Sequence, residues 1–420
     1  MTIAVGDVVQ AVPAPARSRE RSRPCRVLII GDAFSFPQGT GAAARTCSIA
    51  RGLREAGAEV QALVTCPTEP SAAAAVNTEA RGVYKEIPFE YTTGTTTRPS
   101  SFWRRRWVAG RSVARQVAWV MGRGAPFDAV LISTISSLSL PVLIGSLAKA
   151  RGAVLLFEGC ELPFRQPAKG FGRRLYERLY TRWVFKIYDG VLVISTYLSR
   201  YFERHVRSTA RLIHVPILVD AAPHATRDGL AAARPPYIAY AGFLEESKGI
   251  DDLLRAFALI TPKHPGLELW IAGGGSREER LRLRTLSQAQ GVDRQVRWLG
   301  PMPRDEVPVF LSGARVLALP HRSGTYAHAA FPTKLGEYLA AGRPIVTTAV
   351  GEISHYLTDG VHAYLVPPDD PAAFAGRLRD VLDHPEDADA MARRGQAVVR
   401  QHFDYRFHGQ RILAAIREDS

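Results

Sequence analysis

Short apolar runs alternate with helical periodicities along most of the chain. Arg26 to Ile30, Val60 to Val64, Ala129 to Ile132, Val154 to Phe157, Val191 to Ile194 and Leu212 to Val215 each read as a strand buried on both faces. Amphipathic stretches lie between them, the first from about Ala42 to Ala56. Ala221 to Pro236 then offers Ala, Pro and Arg with no period. The alternation restarts at Tyr237 to Ala241 and continues through Leu267 to Ala272, Val296 to Leu299, Ala314 to Leu319, Ile345 to Thr348 and Ala363 to Val366. Strands alternating with helices predict α/β architecture: two doubly wound, Rossmann-like parallel sheets in succession, with a ligand cleft at their carboxyl edges. The expected division is a disordered basic tail (1–24), a first domain (25–220), a linker (221–236), a second domain (237–402) and a last helix (403–420) packing back on the first domain.

Composition refines this picture in three places. The four cysteines, Cys25, Cys47, Cys66 and Cys160, show no pairing or metal-ligand spacing, so neither a disulfide framework nor a zinc site is indicated and a reducing cytoplasm is expected. Ala129 to Ala148 carries no charge over the length a bilayer needs, but its serines, Pro141 and Gly145 read better as a strand to Ser133, a polar turn and a helix to Ala150. The net charge of +14 is concentrated: Arg98 to Arg211 holds 20 basic residues against 6 acidic. Nucleic acid, an anionic membrane or an acidic substrate would each answer such charge, but no nucleic-acid motif accompanies it.

Three segments carry chemistry. Gly39-Thr40-Gly41-Ala42-Ala43-Ala44 matches a dinucleotide fingerprint. It starts nine residues after its strand, however, and Leu63-Val64-Thr65 offers no acid for a ribose, which argues against a nicotinamide cofactor. In Tyr240 to Gly249, Lys248 follows a strand-end glycine, Gly242, by six residues, close enough to place a point charge over a cleft. In Phe331 to Pro344, Pro332 and Thr333 suit the first turn of a helix whose N–H groups would face an anion, and Glu337 lies one turn further on the same face, where a carboxylate can hold ribose hydroxyls. Gly342 would end that helix before the strand from Ile345.

Together these segments resemble glycosyltransferase family 4, the retaining group 1 enzymes of GT-B fold, in the subgroup with a P-T-K-L-x-E-Y motif. Leu269-Trp270-Ile271-Ala272-Gly273-Gly274-Gly275 is similar to the family's glycine turn beside the nucleotide, and Arg297-Trp298-Leu299-Gly300 to its base-recognition loop. Tyr188 to Ser195 and Pro216 to Asp220 fit as well, so the likeness runs from about Arg26 to Arg411. The resemblance implies an acceptor domain followed by a donor domain. It places Lys248 on the donor diphosphate and Glu337 on the ribose. The amides of Thr333, Lys334 and Leu335 would cradle phosphate, with Gly41, Gly242, Gly273, Gly274 and Leu299 around the nucleotide. No metal and no cofactor are expected, and no protein nucleophile, because the leaving phosphate accepts the acceptor's proton. Glu161, after Glu158-Gly159-Cys160, is the candidate near the acceptor. Two departures stand out. Phe243 occupies the position of the family's arginine, and Ala329, beside His328, stands eight positions before Glu337, where the family carries the first of two carboxylates separated by seven residues; Lys334 or Arg322 is then expected to supply charge.

Two stretches mix aromatic and basic residues. Phe171, Leu175, Leu179, Trp183 and Ile187 recur every four positions among Arg173, Arg174, Arg178, Arg182 and Lys186, and Phe102-Trp103-Arg104-Arg105-Arg106-Trp107 repeats the mixture. Both suit either an anionic bilayer or a helix packed on its own sheet with a solvated basic face. The expected function is transfer of a sugar from a UDP- or GDP-sugar to a hydroxyl acceptor, lipid-linked or anionic, in bacterial polysaccharide or glycoconjugate synthesis. The expected place is the cytoplasm, at the inner face of the membrane. The alternatives are a catalytically silent GT-B binding protein and a sugar-nucleotide epimerase.

Overall fold

The computed structural model describes residues 23–32, 34–39, 41–71, 75–122, 126–133, 138, 140–164, 170–220, 235–324, 329, 331 and 332–418. The tail to residue 22, linker residues 221–234 and His328 lie outside the described residues.

The first domain is an eight-stranded sheet. Its strands are β1 (Arg26–Gly31), β2 (Glu59–Val64), β3 (Arg81–Tyr84), β4 (Ile87–Tyr91), β5 (Ala129–Ser133), β6 (Val154–Gly159), β7 (Gly190–Val193) and β8 (Arg211–His214). Their order is β3-β4-β2-β1-β5-β6-β7-β8, parallel except where β3 pairs antiparallel with β4. β1 lies between β2 and β5, with Ile30 opposite both Leu63 and Ile132, and this central register explains why its apolar residues are unbroken. The second domain holds β9 (Tyr237–Ala241), β10 (Glu268–Ala272), β11 (Val296–Gly300), β12 (Val316–Leu319), β13 (Ile345–Thr348) and β14 (Tyr364–Val366). These are all parallel, in the order β11-β10-β9-β12-β13-β14. Two such sheets facing one another are the GT-B architecture.

The β3–β4 hairpin is absent from the sequence reading, which places no strand between Val64 and Ala129. Its two-residue turn is Lys85-Glu86, both at positive φ (46° and 64°), where Asn-Gly would have advertised it. Pro88 also sits inside β4, one residue before that strand's ladder with β2 begins at Phe89.

The two domains share one apolar core. It runs from Leu28 and Phe157 through Ile217 and Val219 to Leu335, Tyr338 and Phe403. The chain crosses between domains twice, and the crossings are hydrogen-bonded to each other: Val219 N–H donates to the Phe403 carbonyl at 2.9 Å, and Tyr405 N–H to the Val219 carbonyl at 3.2 Å. Past the second crossing, the Tyr405–Glu418 helix lies on the Gly41–Glu55 helix of the first domain, with Ile412, Leu413 and Ile416 joining the core beneath β1. A Cβ on Gly409 would meet the Gly52 backbone at 2.1 Å, so the two helices touch main chain to main chain.

The uncharged stretch Ala129 to Ala148 is β5 followed by a helical turn over Leu140–Ile144 and a helix over Gly145–Ala150. Among the described residues no helix is long and apolar enough to cross a membrane.

Candidate active site

The carboxyl edges of both sheets meet. After β1 the Gly41–Glu55 helix begins, and after β12 the Thr333–Ala340 helix begins. A Cβ on Gly41 would stand 3.4 Å from the Thr333 hydroxyl, so two helix amino termini converge from opposite domains on one point. Each carries the partial positive charge of unpaired N–H groups, which favours an anion between them.

The Thr333–Ala340 helix starts at Pro332, which offers no side-chain cap. Leu335 N–H donates to the Pro332 carbonyl at 3.0 Å, and the Leu335 side chain is fully buried. Of the three amides expected to cradle phosphate, that of Leu335 is thus already bonded within the first turn. One turn on, Glu337 takes a 3.0 Å contact from Lys334. The buried Tyr338 hydroxyl accepts from Ala241 N–H at 2.7 Å, which ties this helix to the end of β9. Gly336 occupies the motif's variable position because a Cβ there would strike Val219 at 2.2 Å.

The loops after β9, β10 and β11 are stitched together by their main chains. Gly242 N–H donates to Ala272, Gly273 N–H to Gly300 at 2.7 Å, and Leu244 N–H to Gly274 at 2.7 Å. Gly273 has φ +154°, and its missing Cβ would sit 1.7 Å from the Gly242 carbonyl oxygen. Gly242 and Gly273 thus permit close packing of loops, and half-exposed Leu299 at the end of β11 borders the same edge. Lys248 lies on the Glu246–Lys248 turn and contacts Glu245 at 3.2 Å. Gly249 lets this turn press on the β12 loop, since a Cβ there would meet the Pro320 carbonyl at 1.8 Å. On that loop desolvation, reinforced by the Lys248 ammonium, pushes His321 down to about 3, so its ring is neutral at pH 7.

Arg322, the other cation expected at the donor, is paired with acids of its own domain in this arrangement. Its guanidinium is bound to Asp251 and lies 3.6 Å from Asp252, while its N–H donates to the Ser247 carbonyl at 3.2 Å. It fastens the Lys248 turn to the β12 loop. Phe243, at the arginine position of the family pattern, is 59% exposed, and Ala329 is buried with its carbonyl accepting the Ser195 hydroxyl at 2.7 Å.

On the first domain, Glu161 is exposed on the loop after β6. Glu158, three residues earlier, is buried against Arg45 at 3.0 Å, and Arg45 also donates to the carbonyls of Val215 and Pro216. Phe164 closes this loop against Tyr176 and Tyr180. Between them, burial and the neighbouring Glu158 push the Cys160 thiol up to about 12, so it is no nucleophile.

Two further residues tie the domains together, and Glu352 lies outside every segment singled out in the sequence. Glu352, with a side chain only 3% exposed, reaches from the second domain to the amino terminus of the Thr196–Glu203 helix, accepting Thr196 N–H at 2.9 Å and its hydroxyl at 2.6 Å. Ser195 caps the same helix through Leu198 N–H while reaching Ala329. Among the described residues no three His, Cys, Asp or Glu side chains gather as metal ligands.

This geometry, two parallel sheets with their carboxyl edges together, is that of a GT-B protein. Residues 40–217 match the glycosyl transferase 4-like domain, and residues 225–398 match the glycosyl transferases group 1 domain. The chain therefore carries, in order, the two domains of a group 1 glycosyltransferase. It is 31% identical over 192 residues to the glycogen synthase of Mycobacterium tuberculosis, and 32% over 188 residues to the D-inositol 3-phosphate glycosyltransferase of Acidothermus cellulolyticus. These alignments take in 43% of this chain and 44% and 40% of the two relatives, so the chain spans less than half the length of the curated relatives it matches. Among solved structures, sucrose-phosphate synthase from Thermosynechococcus elongatus superposes with a TM-score of 0.73 at 19% identity, covering 94% of this chain and 98% of that one. Anabaena HepE in complex with UDP and glucose superposes with a TM-score of 0.70 at 16% identity, covering 94% and 100%. At such identities these two establish the fold.

Proposed function

We propose that this chain transfers a sugar, with retention of configuration and without a metal, from a UDP-sugar to a hydroxyl acceptor carried on a lipid. The observation that carries the reading is the convergence of the Gly41 and Thr333 helix starts, with Lys334 in the first turn of the second helix and Lys248 on the turn packed against the β12 loop. Two dipoles and two ammonium groups are a suitable sink for a departing diphosphate. Lys248 and Lys334 each hold a carboxylate, Glu245 and Glu337. Donor binding exchanges these partners: Glu337 turns to the ribose and both lysines to phosphate. The acceptor oxygen then bonds to the anomeric carbon as the carbon–phosphate-oxygen bond breaks. The electron pair goes to the diphosphate, whose oxygen takes the acceptor's proton. UDP heads the donors because HepE, of the same fold, is seen with UDP-glucose; a GDP-sugar is the next choice.

Thermal unfolding with UDP, GDP, ADP and TDP, with and without magnesium, tests this. Nucleotide at a hundred times its dissociation constant adds about 2.7 kcal/mol, a readily measured shift. One base is expected to raise the midpoint without magnesium, and Glu337→Ala and Lys248→Ala to abolish the rise while folding normally. No shift with any nucleotide would instead favour the catalytically silent binding protein, to which the exposed Phe243 in place of an arginine lends some support. Release of a new sugar nucleotide without acceptor would indicate an epimerase.

A further inference from the structure

The two aromatic–basic stretches do not pack their apolar stripes on the sheet. In the helical segment from Phe171 to Ile187, the row facing the core is Tyr180, Val184 and Phe185, with Tyr176 partly buried beside it. The row one position earlier, Phe171, Leu175, Leu179 and Trp183, faces solvent, with Phe171 82% and Trp183 62% exposed. The Phe102–Met121 helix behaves alike: Ser112, Gln116 and Val120 are its buried residues, while Phe102, Trp103 and Trp107 stand out, Trp103 at 78%. A helix packed on its own sheet with a purely basic outer face is therefore excluded for both.

Charge accompanies the aromatics. The first helix has five arginines and no acid, and Phe171 to Ile187 has four arginines, one lysine and a single acid, Glu177, held by Arg173. Arg106, Arg111 and Arg182 lie over the rings of Phe102, Trp107 and Trp183, so that cation and aromatic are presented as one surface. Both helices start at the carboxyl edge of the first sheet, one following β4 and the other β6, on the cleft side. Tyr176 and Tyr180 of the second also hold Phe164, and with it the loop bearing Glu161.

We propose that the Phe102–Trp107 and Phe171–Trp183 faces form one docking surface that seats the first domain on an anionic phospholipid bilayer, with the aromatic rings at the headgroup boundary and the arginines on lipid phosphate. Water is a poor environment for seven large apolar side chains on two helices, and an acidic surface alone would not bury them. A bilayer interface satisfies rings and guanidinium groups together. The surface adjoins the Glu161 loop, so an acceptor on a lipid enters the cleft without leaving the membrane; this deepens the lipid-linked reading of the acceptor and rests on it for its purpose, not for its physics.

Sedimentation of the full chain with vesicles of phosphatidylcholine, alone or mixed with phosphatidylglycerol, is the test. Binding is expected to the mixed vesicles only and to weaken as salt rises. The triple change Trp103→Ser, Phe171→Ser, Trp183→Ser is expected to reduce it at least about tenfold, and each of Arg104→Gln and Arg174→Gln about fivefold. An unchanged nucleotide-induced thermal shift in these variants shows that fold and donor site survive, whereas absence of that shift in the unaltered protein counts against the donor reading and not against this one. No binding to mixed vesicles, or binding that the aromatic variant keeps in full, overturns the proposal. So does a preference for soluble polyglutamate over vesicles, which would make the surface a site for an acidic chain.

Discussion

The hydroxyl of Thr333 is the first atom a side chain at Gly41 would meet, and that contact makes the cleft's narrowest point testable. Gly41→Val places two methyl groups between the helix starts. It is expected to weaken nucleotide binding about tenfold, in line with an overpacking cost of about 1–3 kcal/mol, while leaving the midpoint without nucleotide unchanged. Equal affinity in calorimetry would show that the first domain does not reach the diphosphate. His408 gives a second residue-scale prediction. Its Nε2 bonds the His402 carbonyl at 2.8 Å, and burial, chiefly, with nearby Arg411 and Arg45, pushes the ring down to about 3 from 6.5. The unfolded chain takes up a proton below about 6.5 that the folded ring refuses, so stability is full above that pH and falls as pH drops toward 3. His408→Gln, which can keep the donor bond, is expected to flatten the decline in thermal midpoint between pH 7 and 4; parallel profiles would assign the acid lability elsewhere. Residues of this kind differ in legibility. Glu337 and Lys248 could be read from the chain because their chemistry depends on a few neighbours in sequence. Glu352 could not: its partner Thr196 lies in the other domain, and nothing beside Glu352 betrays it.

Among elements, the contact between the Gly41–Glu55 and Tyr405–Glu418 helices is the least forgiving. Gly409→Ala brings a methyl group to 2.1 Å from the Gly52 main chain, which cannot rotate away. A loss of about 2 kcal/mol is expected in urea unfolding; a neutral result would mean that the last helix is only loosely held. Strands were the most legible elements because burial on both faces writes continuous apolar runs, and all but β3 and β4 were visible as such. That hairpin escaped because its turn residues, Lys85 and Glu86, take positive φ without the usual side chains. The Phe171–Ile187 stretch shows the opposite limit. Its four-residue apolar repeat was real, but it marked the outward row, and Tyr180 and Val184 beside it carry the packing. Periodicity reports that a helix has an apolar face; it does not report what that face meets.

At the scale of the molecule, the continuous core and paired crossings predict one cooperative unit. Tryptophan fluorescence and far-ultraviolet dichroism are expected to report the same urea midpoint. Glu352→Ala removes two bonds from a buried carboxylate to a helix amino terminus and is expected to cost about 2–3 kcal/mol. Two separated transitions in that variant would show that this one side chain couples the domains; a single transition at the original midpoint would sink its structural role. The order of the domains was legible from the repeated alternation, whereas their joining was not, because it is made by Val219 with Phe403 and Gly336 with Val219, pairs far apart in the chain. That joining also sets an order of events as the protein is made. Val27, Ile29 and Leu53 emerge early, but part of their cover, Ile412, Leu413 and Ile416, is encoded nearly four hundred codons later. The first domain must leave the ribosome with an apolar strip bare and wait for the whole of the second before it is sealed, which makes that strip a natural holding place for a chaperone during translation.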